Sequence, residues 1–199
     1  GVGTLSVAGS QLPAGTLHRE QTLYAAVSVT ERPWGTEAEL VRELWQNGGS
    51  SSAEYVATGE PAHTYAIASG LILAPVVERL ESALVLGGAA LSLPVALQRW
   101  QPDVRVDVVE IDPAVTALAR EYFAFGQSDY PNIRVVHEDA RVFMRGSVDH
   151  YDLVYLDVFD HLLTVPWTMV TVEALTAMSQ RLSADGLFMA NVLSPLSGA

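Results

Sequence analysis

The sequence predicts an α/β fold in which a doubly wound, mainly parallel sheet follows a small N-terminal antiparallel β-sheet. Two observations predict the main sheet: five apolar strand-like runs recur after residue 82, and stretches with helical spacing lie between them. Strands that alternate with helices form a parallel sheet covered on both faces. The antiparallel sheet is predicted because, before residue 58, short β-branched and aromatic runs are separated by turn signals.

The N-terminal part of the chain divides into two segments. We expect residues 1–18 to be a flexible segment and residues 19–60 to form the small sheet. Its strands are predicted from the runs TLYAAVSV, AELVREL and SAEYV. Asn47-Gly48 supplies the positive φ angles of a tight hairpin, which makes the second connection the better supported.

Residues 61–199 are predicted to form one Rossmann-like domain. A first helix is expected from about Ala62 to Leu80, and Pro75 is expected to kink or split it. The strand-like runs that follow lie at 83–88, 105–112, 133–139, 151–158 and 186–193, and the helical stretches lie at 93–100, 113–125, 140–145 and 170–182. The last strand is a candidate edge strand, so either the native chain continues beyond Ala199 or another subunit covers that edge.

Composition excludes several classes of chemistry. The 199 residues carry a net charge of −12 and no cysteine, which excludes disulfides and thiolate nucleophiles. All 11 basic residues are Arg, so Schiff-base chemistry on lysine is excluded. The acidic charge disfavours nucleic acid and anionic membranes; it attracts cations such as polyamines or simply maintains solubility. We find no signal peptide or membrane span and expect a soluble, cytoplasmic protein.

The candidate site residues follow the ends of four predicted strands, where doubly wound folds bind their ligands. Gly87 and Gly88 follow the first strand. The acids at the other ends are Glu110 with Asp112, Glu138 with Asp139, and Asp157 with Asp160. Glu110 is placed to accept both hydroxyls of a ribose, whereas Asp112, directly before Pro113, is interpreted as the N-cap of a helix.

The succession ALVLGG, VVEIDPAV, HEDARVF, YDLVYLDVFD and LSADGLFMANV resembles the spermidine synthase-like (polyamine synthase) family, a branch of the class I S-adenosylmethionine-dependent methyltransferase fold. The resemblance runs from about Arg19 to the C-terminus. It implies a transferase of polyamine biosynthesis and a homodimer. The implied co-substrate is S-adenosylmethionine or its decarboxylated form, and the implied partner is a small-molecule amine. No histidine has metal-ligand spacing, so no metal is expected.

The resemblance also implies roles for single residues. Gly87 and Gly88 correspond to the glycines of the donor loop. Glu110 corresponds to the acid that holds the ribose, and Asp139 and Ala140, of the EDA motif, to the adenine contact. Asp157 corresponds to the base that takes a proton from the attacking amine, and Asp160 to a second carboxylate that holds the diamine.

The chain departs from the family pattern at four places. The family loop Gly-Gly-Gly-Asp-Gly, whose aspartate binds the aminopropyl ammonium group, appears as GGAAL at 87–91. The family's Tyr-Gln appears as Tyr24-Ala25, its Leu-Asp-Gly hairpin and following Gln as QNGGS at 46–50, and its Tyr-His-Glu group loosely as AHTY at 62–65.

Three hypotheses therefore stay open at this point. The first is aminopropyl transfer with Asp157 as base. The second is methyl transfer, because a donor that keeps its carboxylate would suit a loop without an acid. The third is a non-catalytic binding or dimerisation module. In the loop HLLTVPWTMV, His161 is a candidate base and Trp167 a candidate stacking residue, although packing is the commoner role of such residues.

Overall fold

The computed structural model describes residues 14–35, 39–159 and 165–192. These residues form two sheets: an antiparallel N-terminal sheet of four strands, and a main sheet of five strands in which every neighbouring pair is parallel. The predicted α/β class and the predicted order of the two sheets are confirmed.

The N-terminal sheet has the strand order β1-β2-β3-β4. Its strands are β1 (Thr16–Gln21), β2 (Ala26–Trp34), β3 (Glu39–Gln46) and β4 (Gly49–Tyr55). Asn47 and Gly48, with φ angles of 51° and 84°, form the predicted tight turn between β3 and β4. Residues 1–13 of the segment expected to be flexible lie outside the described residues, whereas residues 16–18 already belong to β1.

The prediction that the first strand starts at Thr22 is wrong. Residues 22–25 form the turn between β1 and β2, because the Thr22 hydroxyl accepts hydrogen bonds from the backbone amides of Tyr24 and Ala25 at 3.0 and 2.9 Å. A threonine side chain that satisfies nearby amides competes with strand pairing. The strand therefore begins only at Ala26.

The main sheet has the strand order β7-β6-β5-β8-β9. Its strands are β5 (Ser82–Leu86), β6 (Arg105–Val109), β7 (Ile133–Val136), β8 (Tyr151–Leu156) and β9 (Leu182–Ala190). The chain proceeds from β5 to one side of the sheet and then returns to place β8 on the other side. Such a reversal opens a crevice at the carboxyl ends of the strands.

Helices cover both faces of the main sheet. They are α1 (Thr64–Leu73), α2 (Ser92–Trp100), α3 (Pro113–Tyr122), α4 (Ala140–Gly146) and α5 (Val172–Ser179). The predicted helix at 62–80 is split near Pro75, as expected, and continues only as a 3₁₀ turn at Val77–Arg79. Within the described ranges, we find no helix with the length and apolar character needed to cross a bilayer.

The last strand, β9, lies at an edge of the main sheet, as predicted. It begins at Leu182 rather than at residue 186, because Leu182 pairs with Tyr151 and Leu187 pairs with Leu153. The residues between these two pairs form an irregularity that the apolar pattern does not show.

The N-terminal sheet packs on α3 and on the loop after β5. Val27, Val29 and Leu44 share one buried apolar cluster with Phe123 and Ala90. The Arg42 guanidinium bridges the two units, since it donates to the Glu31 carboxylate and to the backbone carbonyl of Tyr122. This packing places the turn between β3 and β4 over the crevice of the main sheet.

Candidate active site

A cavity of about 410 Å³ lies at the carboxyl ends of the strands of the main sheet. Tyr24, Gln46, Asn47 and Ser51 contribute to its wall from the N-terminal sheet and its turns. The rest of the lining comes from the strand ends and from Pro166, Thr168 and Met169. The cavity therefore lies where the strand order of the main sheet predicts a ligand site.

The cavity brings together most of the residues selected from the sequence. Its lining includes Gly87, Gly88, Glu110, Asp139, Ala140 and Asp157. Asp160 and His161 lie outside the described residues. Trp167 is 76% exposed and is not among the residues that line the cavity, although its neighbours Thr168 and Met169 are.

The first loop, residues 87–91, needs its glycines because other atoms of the protein lie very close to them. Gly87 has a φ of +94°, and a Cβ placed on it would lie 2.8 Å from the carbonyl carbon of Asp157. A Cβ on Gly88 would lie 3.0 Å from a Val108 methyl group and 3.2 Å from the Glu110 Cβ. Gly87 thus permits the end of β5 to lie directly beside the end of β8.

The rest of the first loop turns Ala90 away from the cavity. Ala89 and Leu91 have φ angles of 42° and 58°, a left-handed conformation that costs a non-glycine residue about 1 kcal/mol or more. Ala90 is 1% exposed and packs in the apolar cluster under the N-terminal sheet. Of the two alanines in this loop, Ala89 lines the cavity and Ala90 does not.

Glu110 is buried and connects two loops. Its Oε2 accepts hydrogen bonds from the backbone amides of Gly88 and Ala89 at 3.0 and 3.1 Å, and its Oε1 accepts from the amide of Asp112 at 2.9 Å. Burial raises the pKa of Glu110, and these three amides oppose that shift. A carboxylate has about four acceptor positions, so the loops leave about one for a ligand.

Two of the other acids begin helices. Asp112 accepts from the amide of Ala114 at 3.0 Å with Pro113 in the first turn, which confirms its interpretation as an N-cap. Asp139 caps α4 through its Oδ1, which accepts from the amides of Arg141 and Val142. The predicted adenine contact of Asp139 is therefore an additional role for a residue that already stabilises a helix.

Asp157 directly follows β8, and two polar side chains, those of Asn191 and Tyr65, lie beside its carboxylate. Its Oδ1 accepts a hydrogen bond of 3.0 Å from the Asn191 side-chain amide, and the Tyr65 side chain lies beside it. Burial raises the pKa of Asp157 to about 6, while Asn191 and Tyr65 act in the opposite direction. Burial and the neighbouring carboxylate raise the pKa of Tyr65, so its hydroxyl stays protonated at neutral pH.

Asn191 was not selected from the sequence, although a signal for it existed. The rule that ligand sites lie at the carboxyl ends of strands was applied to four strands, and Asn191 directly follows the fifth, β9. Tyr65 belongs to the segment that loosely matches the family's Tyr-His-Glu group. It is the member of that segment whose side chain reaches Asp157.

The lining of the cavity is acidic. Five of the lining residues are carboxylates, namely Glu110, Asp112, Glu138, Asp139 and Asp157, and among the described lining residues there is no Lys, Arg or His. In the parts of the chain that the structure describes, no group of three His, Asp or Glu side chains is arranged to hold a metal ion. The cavity is suited electrostatically to a positively charged ligand.

The sheet order and the crevice define the class: a doubly wound α/β protein with a class I methyltransferase-like fold. The family model described as "Spermine/spermidine synthase domain" matches residues 67–197. The chain belongs to this family.

Two curated relatives illustrate the range of similar sequences. A polyamine aminopropyltransferase of Vibrio vulnificus is 36% identical over 129 residues, which cover 63% of this chain and 41% of that protein. An eEF1A lysine and N-terminal methyltransferase of Mus musculus is 30% identical over 142 residues, which cover 66% of this chain and 20% of that protein. The chain therefore spans less than half of the length of either relative.

Solved structures show the same fold. A probable spermidine synthase from Corynebacterium glutamicum has a TM-score of 0.73 at 23% identity, covering 92% of this chain and 64% of that one. A spermidine synthase in complex with the transition state analogue AdoDATO has a TM-score of 0.69 at 17% identity, covering 88% of this chain and 57% of that one.

Proposed function

We propose that the protein transfers an aminopropyl group from decarboxylated S-adenosylmethionine to a small amine, with Asp157 as the base. The observation that carries the proposal is the acidic lining of the cavity, with five carboxylates and no basic side chain among its described residues. Membership of the spermine/spermidine synthase family supports the same reaction class.

The charge of the cavity favours the decarboxylated donor over the intact one. Decarboxylated S-adenosylmethionine carries a sulfonium and an ammonium group, whereas the intact molecule adds a carboxylate. A unit charge about 4 Å from another contributes about 4 kcal/mol near a protein surface, before desolvation. A carboxylate placed among the acids of this cavity is repelled, so we expect the decarboxylated donor to bind at least tenfold more tightly.

The nucleoside end of the donor is assigned to two strand ends. Glu110 keeps about one acceptor position for a ribose hydroxyl, because three backbone amides occupy the others. Asp139 and Ala140 line the cavity one strand further along and are assigned to the adenine. Gly87 and Gly88 lie between these positions and Asp157, at the place assigned to the sulfonium group.

The chemical step needs a proton acceptor. The nitrogen of the acceptor amine forms a bond to the aminopropyl carbon while the bond from that carbon to sulfur breaks, leaving a neutral thioether. The proton of the amine passes to the Asp157 carboxylate. A pKa of about 6 for Asp157 leaves it ionised at neutral pH and close to the pH at which a general base is most effective. We assign the second ammonium group of a diamine to Asp160.

Calorimetric titration tests the donor. The protein is titrated with decarboxylated S-adenosylmethionine, with the intact form and with methylthioadenosine. Tightest binding of the decarboxylated form supports the proposal, and tighter binding of the intact form overturns it. Absence of binding by all three supports a non-catalytic module instead.

Turnover tests the base. Asp157→Asn is expected to lower kcat by a factor of 10² or more while donor binding stays within about threefold. Asp129→Asn, a change of the same kind at an exposed aspartate, serves as the control and should leave both unchanged. Equal turnover of Asp157→Asn and the parent protein would exclude Asp157 as base.

Methyl transfer is the second candidate, and one observation favours it. The first loop contributes Ala89 to the cavity wall and no carboxylate, so nothing in that loop repels the carboxylate of intact S-adenosylmethionine. The similarity to the mouse methyltransferase agrees with this alternative. The donor titration separates the two reactions.

A further inference from the structure

We propose that Asn191 is a positioning residue: its side-chain amide holds Oδ1 of Asp157, so that the proton of the acceptor amine passes to Oδ2. This inference rests on the proposed role of Asp157 as base. Asn191 follows β9, a strand to which no residue selected from the sequence belongs, and it does not line the cavity, so it acts on the reaction only through Asp157.

Backbone hydrogen bonds fix the positions of Asn191 and Asp157 independently of their side chains. β8 and β9 are parallel neighbours with Leu156 paired to Ala190. The backbone amide of Asn191 donates to the Leu156 carbonyl at 2.9 Å, and the amide of Asp157 donates to the Leu86 carbonyl at 2.8 Å. The two strand ends therefore present Asn191 and Asp157 side by side, with little freedom in either main chain.

The side-chain bond has one possible direction. Asn191 Nδ2 lies 3.0 Å from Asp157 Oδ1, and a carboxylate can only accept, so the amide donates. An amide does not titrate in the working range of a carboxylate. Asn191 can therefore orient Asp157 without competing for the proton, which an acid or a histidine at this position would do.

Asp157 also has neighbours on other elements that pack against it. Tyr65 approaches from α1, and Gly87 at the end of β5 contacts its main chain. The Tyr65 hydroxyl donates its one proton to the Ser51 carbonyl at 3.2 Å, which ties Tyr65 to the N-terminal sheet. Asn191 is the partner on the β9 side, and its bond opposes the rise in pKa that burial causes.

The experiment compares Asn191→Leu, which keeps the approximate shape and removes the donor, with Asn132→Leu. Asn132 also donates through Nδ2 to an oxygen at 3.0 Å, but its acceptor is the Pro102 carbonyl, and neither residue lines the cavity. For Asn191→Leu we expect kcat to fall tenfold or more, donor KM to stay within about threefold, and the acidic limb of the kcat/KM profile to move up by about one pH unit. Asn132→Leu should change none of these.

A direct titration keeps the inference separate from the proposed function. The ¹³C shift of the Asp157 carboxyl carbon, followed against pH by NMR, reports its pKa with no substrate present. A rise of about one pH unit in the Asp157 pKa of Asn191→Leu supports the hold of Asn191 on Asp157, even if the parent protein proves unable to transfer an aminopropyl group; that failure would refute the proposed function. An unchanged Asp157 titration overturns the inference.

A second variant guards against loss of folding. Asn191→Asp keeps the size of the side chain and places a second carboxylate near Asp157. Two adjacent carboxylates share a proton and titrate as a pair, so the apparent pKa of the first protonation is expected to rise further than in Asn191→Leu. An Asp157 resonance that titrates as in the parent protein would show that the two side chains do not interact.

Discussion

Gly87→Ala is expected to damage the protein in two separable ways. The new methyl group has to retreat by about 0.7–1.2 Å, because it would overlap the Asp157 carbonyl oxygen and lie 2.8 Å from the carbonyl carbon, whereas carbon atoms pack at about 3.5–4 Å. The φ of +94° at Gly87 is also unfavourable for alanine. The change therefore tests whether the contact between β5 and β8 holds Asp157 in place.

Two other glycines allow the two costs to be separated. Gly48 has a similar φ of +84° but open space around its Cβ position, so Gly48→Ala should cost about 1–2 kcal/mol from backbone conformation alone. Gly146 has neither a positive φ nor a close neighbour, and Gly146→Ala should cost nothing or slightly stabilise the end of α4. We expect Gly87→Ala to cost about 3 kcal/mol or more, since it adds displacement of the β8 end.

Thermal and urea unfolding measure the stability differences, and a turnover assay measures the effect on the site. For a chain of this size, about 3 kcal/mol corresponds to a fall in Tm of about 6–12 °C. A shift of about 1 Å at a catalytic group can lower kcat/KM by a factor of about 10². If Gly87→Ala loses no more stability than Gly48→Ala and retains the same turnover, the contact with Asp157 does not hold the site in place.

Three further predictions concern single side chains. Glu54 is 1% exposed, and burial raises its pKa from 4.5 to about 7. The folded protein therefore binds a proton between these pH values that the unfolded chain has lost. The stability due to Glu54 is present at low pH and lost as pH rises through about 7. In urea unfolding, Glu54→Gln should therefore raise the free energy of unfolding by up to about 3 kcal/mol at pH 8 and by little at pH 4.5. An equal effect at both pH values would contradict this. Ala89→Gly should raise Tm by up to about 4 °C, because relief of the left-handed φ of 42° outweighs the entropy that glycine adds to the unfolded chain; a lower Tm would show that this entropy is the larger effect. Glu110→Gln replaces an accepting oxygen by a donor beside backbone amides, so it should weaken nucleoside binding tenfold or more in calorimetry. Glu121→Gln, a change of the same kind at an exposed position, should leave nucleoside binding unchanged. If Glu110→Gln binds the nucleoside as tightly as the parent protein, the assignment of Glu110 is refuted.

The main sheet was predictable from the sequence because its strands are apolar runs and the stretches between them have helical spacing. The strand-like run at 83–88 and the cap at Asp112 are visible without coordinates, whereas the cap at Asp139 was not predicted. β1 was not, since TLHREQ has no apolar face and its one large apolar residue, Leu17, is exposed. A strand that is ordered by pairing with a neighbour leaves little periodic signal in its own sequence.

The site was predictable in location but not in its internal contacts. The ends of parallel strands meet at one edge, which placed Glu110, Asp139 and Asp157 together before any coordinates. The bond from Asn191 to Asp157 depends on the register between β8 and β9, and register between strands distant in sequence leaves no local pattern. The burial of Ala90 likewise follows from two left-handed residues that are not glycine, which the residue types did not suggest.

The contacts between Glu110 and the first loop determine which residues of the loop can be substituted during evolution. The loop holds the carboxylate through the main-chain amides of Gly88 and Ala89, and every residue type except proline supplies that amide. The Ala89 side chain can therefore be replaced while the bonds to Glu110 persist, whereas close neighbours of Gly87 and Gly88 leave no room for a side chain. The sequence GGAAL, with no acid, thus keeps both backbone bonds to Glu110 and can vary at Ala89, the loop alanine that lines the cavity.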